Sequence, residues 1–239
     1  MDIHKPKPWH GLREFLKEYL IIVIGVLTAL AAEAVVENLH ERRLASEARE
    51  TVRAEINLDL ANMKRRGEIQ PCIDKRLNEL SAYIGKAEAG QPITPPLTIG
   101  EPGHPATYTQ RWQAATAGGR ASLLPSDEQR DYIRVYQVFE DFQARQAEDR
   151  LTWGELMGLE GVQRPSPELL ADARMALGRA KVLNGSLRQE VRTASLYAGR
   201  IGIQGVDPEL NRLGARMLRL ICLPLSTPPA EAEKMPFAG

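Results

Sequence analysis

Hydrophobic positions are concentrated in one apolar run near the start of the chain. Residues 19–36 read YLIIVIGVLTALAAEAVV and contain one charged residue, Glu33, close to the C-terminal end of the run. As a helix, 18 residues extend about 27 Å, near the thickness of the hydrocarbon core of a bilayer. The run therefore predicts a single transmembrane helix over 19–36, preceded by a short polar segment over 1–18.

Two other interpretations of this run are open. The small residues Ala32 and Ala34 flank Glu33 in the pattern of a signal-peptide cleavage site, and a fully buried core helix would also be apolar. However, helix-favouring residues continue past Ala34 without a glycine or a proline. This continuity favours an anchor that stays attached to the following domain.

The flanking charges leave the orientation of the span nearly balanced. Under the positive-inside rule, the flank with more basic residues faces the cytoplasm. Here four basic residues precede the span and four follow it within a comparable distance, so the count alone does not give the orientation. Arg13 and Lys17 lie nearest the apolar run, whereas the other flank carries glutamates. We therefore expect a bacterial inner-membrane protein with a cytoplasmic N-terminus and a periplasmic bulk.

Beyond the span, apolar residues recur at intervals of three and four. Such spacing from Leu44 to Met63 predicts that the membrane helix continues into the following domain until Gly67 and Pro71 interrupt it. A second amphipathic helix is predicted up to Gly90. Residues 90–108 contain five prolines and three glycines, which predicts an extended surface loop.

The remaining helices are predicted from their start signals. Ser126 and Gln129 have the spacing of a capping box, while Ser166 and Asp207 each precede a proline suited to a first helical position. A tail over 224–239 is predicted to be disordered. The predicted fold is all-α, with the transmembrane helix continuing into an antiparallel helical bundle over 37–223. The helix after Ser126 carries an aromatic face that we interpret as core: Tyr132, Val135, Tyr136, Phe139 and Phe142.

Charge and motif content argue against several functions. Lys plus Arg and Asp plus Glu number 31 each, so no net positive charge favours nucleic acid binding. The common nucleotide-binding, hydrolase and zinc-protease motifs are absent. No cofactor is expected, and no metal site is predicted because no pair of the four histidines has metal-ligand spacing: His4, His10, His40 and His104.

Two small groups of residues in and beside the span carry further hypotheses. Gly25, Ala29 and Ala32 could form a face that packs against another membrane helix, either in a homo-oligomer or with a partner span. Glu33, Glu37 and Glu41 recur every four residues. They could form a proton or cation site, but a helix end rising into water explains the same pattern.

The only two cysteines, Cys72 and Cys222, lie far apart in sequence beside apolar helix positions. In an oxidising periplasm they could form one disulfide bond. The alternative is a pair of buried free thiols. A catalytic thiol is disfavoured because no histidine lies near either cysteine in sequence.

The segment from Glu18 to Arg43, EYLIIVIGVLTALAAEAVVENLHERR, resembles the N-terminal anchor of uncharacterised bacterial single-span membrane proteins that continue into a helical domain. The resemblance covers about a tenth of the chain. It implies a bacterial envelope setting and brings no catalytic residues.

These patterns favour a non-enzymatic, membrane-anchored scaffold, accessory subunit or interaction module whose partners are the lipid bilayer and a second copy or another membrane protein. One alternative is a sensor that acts through a partner span. A second is an enzyme with an unfamiliar site, which would require Tyr132, Glu140, Arg145 and Arg150 to share a cleft.

Overall fold

A computed structural model of the protein describes residues 11–206 and 220–234. Within these residues the secondary structure is entirely helical, without a strand, which confirms the predicted all-α class. The elements are α1 (Leu12–Glu68), α2 (Gln70–Glu88), α3 (Gln110–Ala117), a 3-10 helix (Arg120–Leu123), α4 (Ser126–Met157), α5 (Pro167–Arg200) and α6 (Pro229–Lys234).

Helix α1 is one uninterrupted helix of 57 residues, about 85 Å long. The side chains of its N-terminal half are almost all exposed, among them Ile21 and Val36. From Ala45 onward one face of the helix is buried in the bundle. Among the described residues α1 is the one helix long and apolar enough to cross a membrane, so it is a candidate span that continues into packed helices, as predicted.

Helices α1 and α2 meet at Ile69, which alone separates them. Pro71 lies in the first turn of α2, where its missing N–H costs no hydrogen bond. Gly67 belongs to the last turn of α1, so this glycine does not break the helix. The predicted interruption is therefore a single-residue junction.

The order of the contacts gives the directions of the long helices. Helix α5 runs antiparallel to α1 and α2, since Arg53 reaches Ile201 while Glu88 reaches Arg174. Helix α4 follows the direction of α1, with Arg49 bonded to Glu128. Farther along the same two helices, Arg66 bonds to Asp149. The bundle thus combines antiparallel packing with one parallel pair.

A parallel α1–α4 pair requires the connection between them to return along the length of the bundle. Residues 89–109, called the strap below, make most of this return and contain neither helix nor strand. The sequence predicted a surface loop here, but Pro95, Pro96, Ile99 and Thr107 are buried. The prediction of surface exposure was wrong because the strap lies against α1, α2 and α4.

The core forms two clusters along the bundle axis. The cluster nearer the candidate span, called the membrane-proximal core below, joins α1, α3, α4 and α5, and it contains the predicted aromatic face of α4. Trp112 of α3 stacks on Tyr136, with ring centroids 5.6 Å apart. The distal cluster joins α2, the end of α4, the start of α5 and the residues around Ile221.

Two of the predicted helix caps lie within the described residues, and the structure confirms one of them and contradicts the other. Ser166 caps α5, because its hydroxyl accepts the N–H of Leu169 at 3.2 Å. The capping box at Ser126 is wrong: Ser126 is already the first residue of α4, and Gln129 donates instead to the carbonyl of Leu124. The helix start predicted at Asp207 lies outside the described residues.

The beginning of the tail predicted to be disordered is packed on the strap. The carbonyl of Leu225 accepts hydrogen bonds from the N–H groups of Leu97 and Thr98. The carbonyl of Thr227 accepts one from the Thr98 hydroxyl at 2.7 Å. These bonds explain why the chain is ordered beyond residue 224, where composition alone predicted disorder.

Candidate functional site

Charged residues lie buried along the groove between α1, α2 and α4, where the strap runs. Burying a charge is costly unless it is paired or hydrogen-bonded, so the contacts of these residues indicate what they do. They form three clusters, whose central members are Glu55, Asp59, Arg66, Arg76 and Asp149.

The first charged cluster, which contains Glu55 and Asp59, holds the start of α3 against α1. The carboxylate of Glu55 accepts the N–H of Arg111, in the first turn of α3, at 3.1 Å, and the Tyr136 hydroxyl at 2.8 Å. Asp59, one turn later, accepts the N–H of Tyr108 at 2.9 Å. Acidic groups are favourable at this end of a helix because its N–H groups carry partial positive charge.

Burial also changes the acid–base properties of this cluster. Desolvation raises the pKa of Asp59 to about 8, with the neighbouring Glu55 adding to the rise and the Tyr108 N–H opposing it. Burial likewise raises the pKa of the Tyr136 phenol, helped by its hydrogen bond to Glu55. The raised pKa favours the protonated form of Asp59, whose Oδ1 has no hydrogen-bond partner among the described residues.

The central cluster joins α1, α4 and the middle of the strap. Arg66 donates to Oδ2 of Asp149 at 2.9 Å, while Oδ1 of the same carboxylate accepts the Trp153 indole N–H at 3.2 Å. His104 of the strap lies 3.2 Å from Asp149, and the carbonyl of Gly103 lies 3.4 Å from the Arg66 guanidinium. Burial lowers the pKa of Arg66, and the Asp149 carboxylate opposes this shift.

The third charged cluster is formed around Arg76 of α2. Its guanidinium donates to the carbonyls of Thr98 (2.6 Å), Ile221 (3.3 Å) and Leu223. Glu160, after α4, accepts the N–H of Ile99 at 2.6 Å. One arginine thus joins α2 to both the strap and the C-terminal segment.

The two cysteines lie next to this cluster and form a disulfide bond between the start of α2 and the C-terminal segment. The Cα atoms of Cys72 and Cys222 are 4.8 Å apart, within the normal range for such a bond. The bond closes a loop between positions 150 residues apart. The disulfide and Arg76 therefore fix the same segment by independent means.

The residues predicted as a membrane-packing face lie on the exposed half of α1. Gly25, Ala29 and Ala32 are exposed, and no atom lies within 4 Å of the position that a Cβ would take at Gly25. The predicted acidic series in this region is exposed as well: Glu33, Glu37 and Glu41. The structure brings neither group against another described element.

The residues of the enzyme hypothesis are dispersed. Tyr132 is buried and donates to Glu128 at 2.6 Å, while Arg145 on another side of α4 pairs with Glu190 of α5. Glu140 and Arg150 are exposed. These four residues do not share a cleft, so the condition set for that hypothesis is not met.

Sequence reasoning missed the residues that form the three clusters. Asp59 and Arg66 occur in the same helical stripe as the core residues Ile56, Leu60 and Met63, so a charged residue within an apolar stripe was the available signal. The partners of these charged residues could not be identified, because they lie far away in the chain, on α4 for Arg66 and on the strap, which has no periodic pattern, for Asp59.

The geometry of the groove suits it to fixing the strap, because the charged side chains act mainly on backbone groups of the strap and of the segments beside it. Among residues 11–206 and 220–234, no group of three or more His, Cys, Asp or Glu residues could hold a metal ion. No family model, curated protein or solved structure matches the chain.

Proposed function

We propose that the protein is a single-span, membrane-anchored helical scaffold, accessory subunit or interaction module of the bacterial envelope and that it has no catalytic role. The observation that carries this proposal is the division of α1 into two halves. Its N-terminal half exposes apolar side chains that need a lipid environment, whereas its C-terminal half is part of the bundle core. The same helix thus provides both the anchor and a wall of the domain.

The disulfide bond supports a periplasmic position for the bundle. Disulfide bonds persist in oxidising compartments and are rare in the cytosol, and Cys72 and Cys222 are bonded. With one span, a periplasmic bundle places the N-terminus in the cytoplasm. This orientation agrees with the position of Arg13 and Lys17 next to the apolar run.

The three buried clusters support a rigid rather than a catalytic domain. Glu55, Arg66 and Arg76 each bind backbone groups of the strap or the residues next to it. Because the strap is held at three positions along the bundle, we expect the bundle to be rigid. A rigid domain held at the membrane is suited to presenting a surface to a partner.

The exposed small residues of the span support association within the bilayer. Gly25, Ala29 and Ala32 fall on one helix face and would allow a second helix to approach closely. The partner is either a second copy of this chain or the span of another protein.

Membrane insertion and topology can be tested together, because the described residues contain no free cysteine. A Leu12→Cys variant places a thiol before the span, and Ser46→Cys places an exposed thiol after it. In intact cells, a membrane-impermeant maleimide is expected to label position 46 only, with position 12 reacting after permeabilisation. The reversed pattern would refute the orientation, and recovery of the full chain in the supernatant after ultracentrifugation would refute the anchor.

A sensing role is the second candidate, and one observation favours it. The residues on α1 that bind the strap and α3 belong to the same helix that enters the membrane, so movement of the strap would act directly on the anchor. If this holds, an Arg66→Met variant will change the yield of disulfide crosslinks between Ala29→Cys spans. An unchanged yield in a folded variant would eliminate this candidate.

A further inference from the structure

The outward face of α5 carries large apolar residues with no partner in the bundle. Met175, Val182 and Leu196 occur at multiples of seven residues and are 62%, 70% and 59% exposed. Each is followed three residues later by a glycine, at positions 178, 185 and 199, and no atom lies within 4 Å of where the Cβ atoms of these glycines would be. We call these six residues the α5 face. Seven-residue spacing is the repeat of a seam between two packed helices.

Basic residues flank the α5 face. Between Ala173 and Arg200 the chain contains one acidic residue, Glu190, which is buried. Six exposed basic residues lie in the same stretch: Arg174, Arg179, Lys181, Arg188, Arg192 and Arg200. This excess of positive charge stands out in a chain with equal numbers of acidic and basic residues.

Part of this charge is already compensated within the bundle. Arg174 pairs with Glu88 and Arg179 with Glu155, whereas Arg188 lies 3.9 Å from Asp74. Lys181 and Arg192 form no ion pair with any described residue, and both are exposed. Positive charge therefore remains along the edge of the α5 face that contains Lys181 and Arg192.

A cavity of about 230 Å³ opens beside this edge. It lies between the α1–α2 junction and α5, and none of its lining residues is acidic: Arg66, Gly67, Gln70, Arg188, Val191 and Arg192. The cavity is large enough to accept a side chain from a bound helix. Arg192 lines the cavity and follows Gly185 by seven residues, so the cavity adjoins the edge of the α5 face.

We infer that the α5 face binds an amphipathic helix of another protein, one with apolar residues along its seam and Asp or Glu at the flanking positions. The apolar seam would cover Met175, Val182 and Leu196, while the flanking acids would pair with Lys181 and Arg192. The glycines allow close backbone approach. This inference specifies the partner of the interaction module proposed above.

Two other occupants fit the surface less well. A second copy would place the basic edge of one α5 against that of the other, and like charges in register are destabilising. An anionic bilayer surface fits poorly because α5 runs alongside α1, which enters the membrane. A helix standing away from the bilayer cannot lay its face on the lipid.

The test uses the full-length protein in detergent micelles, so its result does not depend on the orientation of the span. The probes are two fluorescent 28-residue helical peptides with Leu and Ala in the seam positions. One peptide has Glu at every flanking position and the other has Lys. By anisotropy, the Glu peptide is expected to bind at least about tenfold more tightly than the Lys peptide, and added salt should narrow this gap.

Substitutions locate the binding site. Val182→Asp should abolish binding, whereas Ile133→Asp, at a similarly exposed position on α4, should leave it unchanged. Arg192→Glu should weaken binding of the Glu peptide and strengthen that of the Lys peptide, a reversal that loss of folding could not produce.

Several results would overturn the inference. These are equal binding of both peptides, binding of neither, or binding unaffected by Val182→Asp. Efficient crosslinking of Ser186→Cys between two copies would show that the α5 face is a homodimer contact instead. A lipid-shielded probe at position 186 in anionic nanodiscs would assign the face to the membrane. None of these results bears on whether the chain is membrane-anchored, which the thiol-labelling experiment tests separately.

Discussion

Arg66 on α1 and Asp149 on α4 form an ion pair of 2.9 Å inside the bundle, and their side chains are 2% and 0% exposed. Both residues also contact the strap, through Gly103 and His104. This pair therefore joins three parts of the fold that are distant in sequence. It also lies on the helix that carries the candidate membrane span.

Removing one member of this pair should be strongly destabilising. An Arg66→Met variant leaves the Asp149 carboxylate buried without its cation, which typically costs about 3–5 kcal/mol of unfolding free energy. The double variant Arg66→Met/Asp149→Leu should lose less, because no uncompensated charge remains. Urea unfolding in detergent micelles at pH 7 would measure both changes.

The exposed pair Arg43–Glu47 is a matched control for this prediction. Breaking it with Arg43→Met should leave the unfolding midpoint unchanged, since surface ion pairs contribute little. If the double variant at the buried pair were as unstable as the sum of its two single variants, the pair would not be coupled and the prediction would fail.

Stability should depend on pH through Asp59. Because burial raises the folded-state pKa to about 8 from an ordinary value of 3.8, the folded protein keeps a proton that the unfolded chain loses. The resulting stability is fully present below pH 4 and is lost as the pH rises to 8. An Asp59→Asn variant cannot ionise, so its unfolding free energy should increase relative to the parent protein between pH 5 and pH 9.

Glu128 provides a control with the opposite sign. Its hydrogen bonds with Arg49 hold its pKa below the usual value, so its contribution is present at neutral pH and is lost as the medium becomes acidic. The cost of Glu128→Gln should therefore shrink at low pH. An Asp59→Asn effect that stayed constant across the pH range would show that Asp59 ionises normally.

Local periodicity was sufficient to predict the helical class and much of the core. The regular spacing from Leu44 to Met63 predicted an uninterrupted α1, and the aromatic spacing on α4 predicted the membrane-proximal core. Both features depend on residues three or four positions apart. This spacing is visible in the sequence, so both features could be predicted from it.

The groove could not be predicted because its geometry depends on residues far apart in sequence. Glu55 and Asp59 have the same four-residue spacing as Glu33 and Glu37, but the first pair is buried and the second exposed. The difference is that α3 and the strap contact only the first pair, through the N–H groups of Arg111 and Tyr108. Its path follows from the parallel arrangement of α1 and α4, a relationship that no local pattern encodes.

The Cys72–Cys222 disulfide should be a major source of stability. Closing a loop of this length restricts the unfolded chain, and the chain-entropy model assigns about 5 kcal/mol to it. A Cys72→Ser/Cys222→Ser variant should unfold at lower denaturant and be insensitive to reductant. If the parent protein unfolded at the same midpoint with and without dithiothreitol, the bond would contribute nothing measurable.

A more local prediction concerns Arg76. Its planar guanidinium donates hydrogen bonds to carbonyls of both the strap and the C-terminal segment. The compact ammonium of lysine cannot reproduce this arrangement. An Arg76→Lys variant should therefore loosen the strap while leaving the α4–α5 hairpin intact. Losing charge-assisted hydrogen bonds worth about 2 kcal/mol should speed hydrogen exchange at the amides of Leu97 and Thr98 by roughly 30-fold.

The pattern of exchange distinguishes this account from general destabilisation. In the variant, the buried α4 residues around Phe139 should keep their protection, because they belong to the other core cluster. Arg174→Lys, at the exposed pair with Glu88, should change neither region. Equal acceleration in the strap and in α4 would mean that Arg76 stabilises the whole bundle, whereas unchanged exchange at Leu97 would mean that the C-terminal segment and Glu160 hold the strap without it.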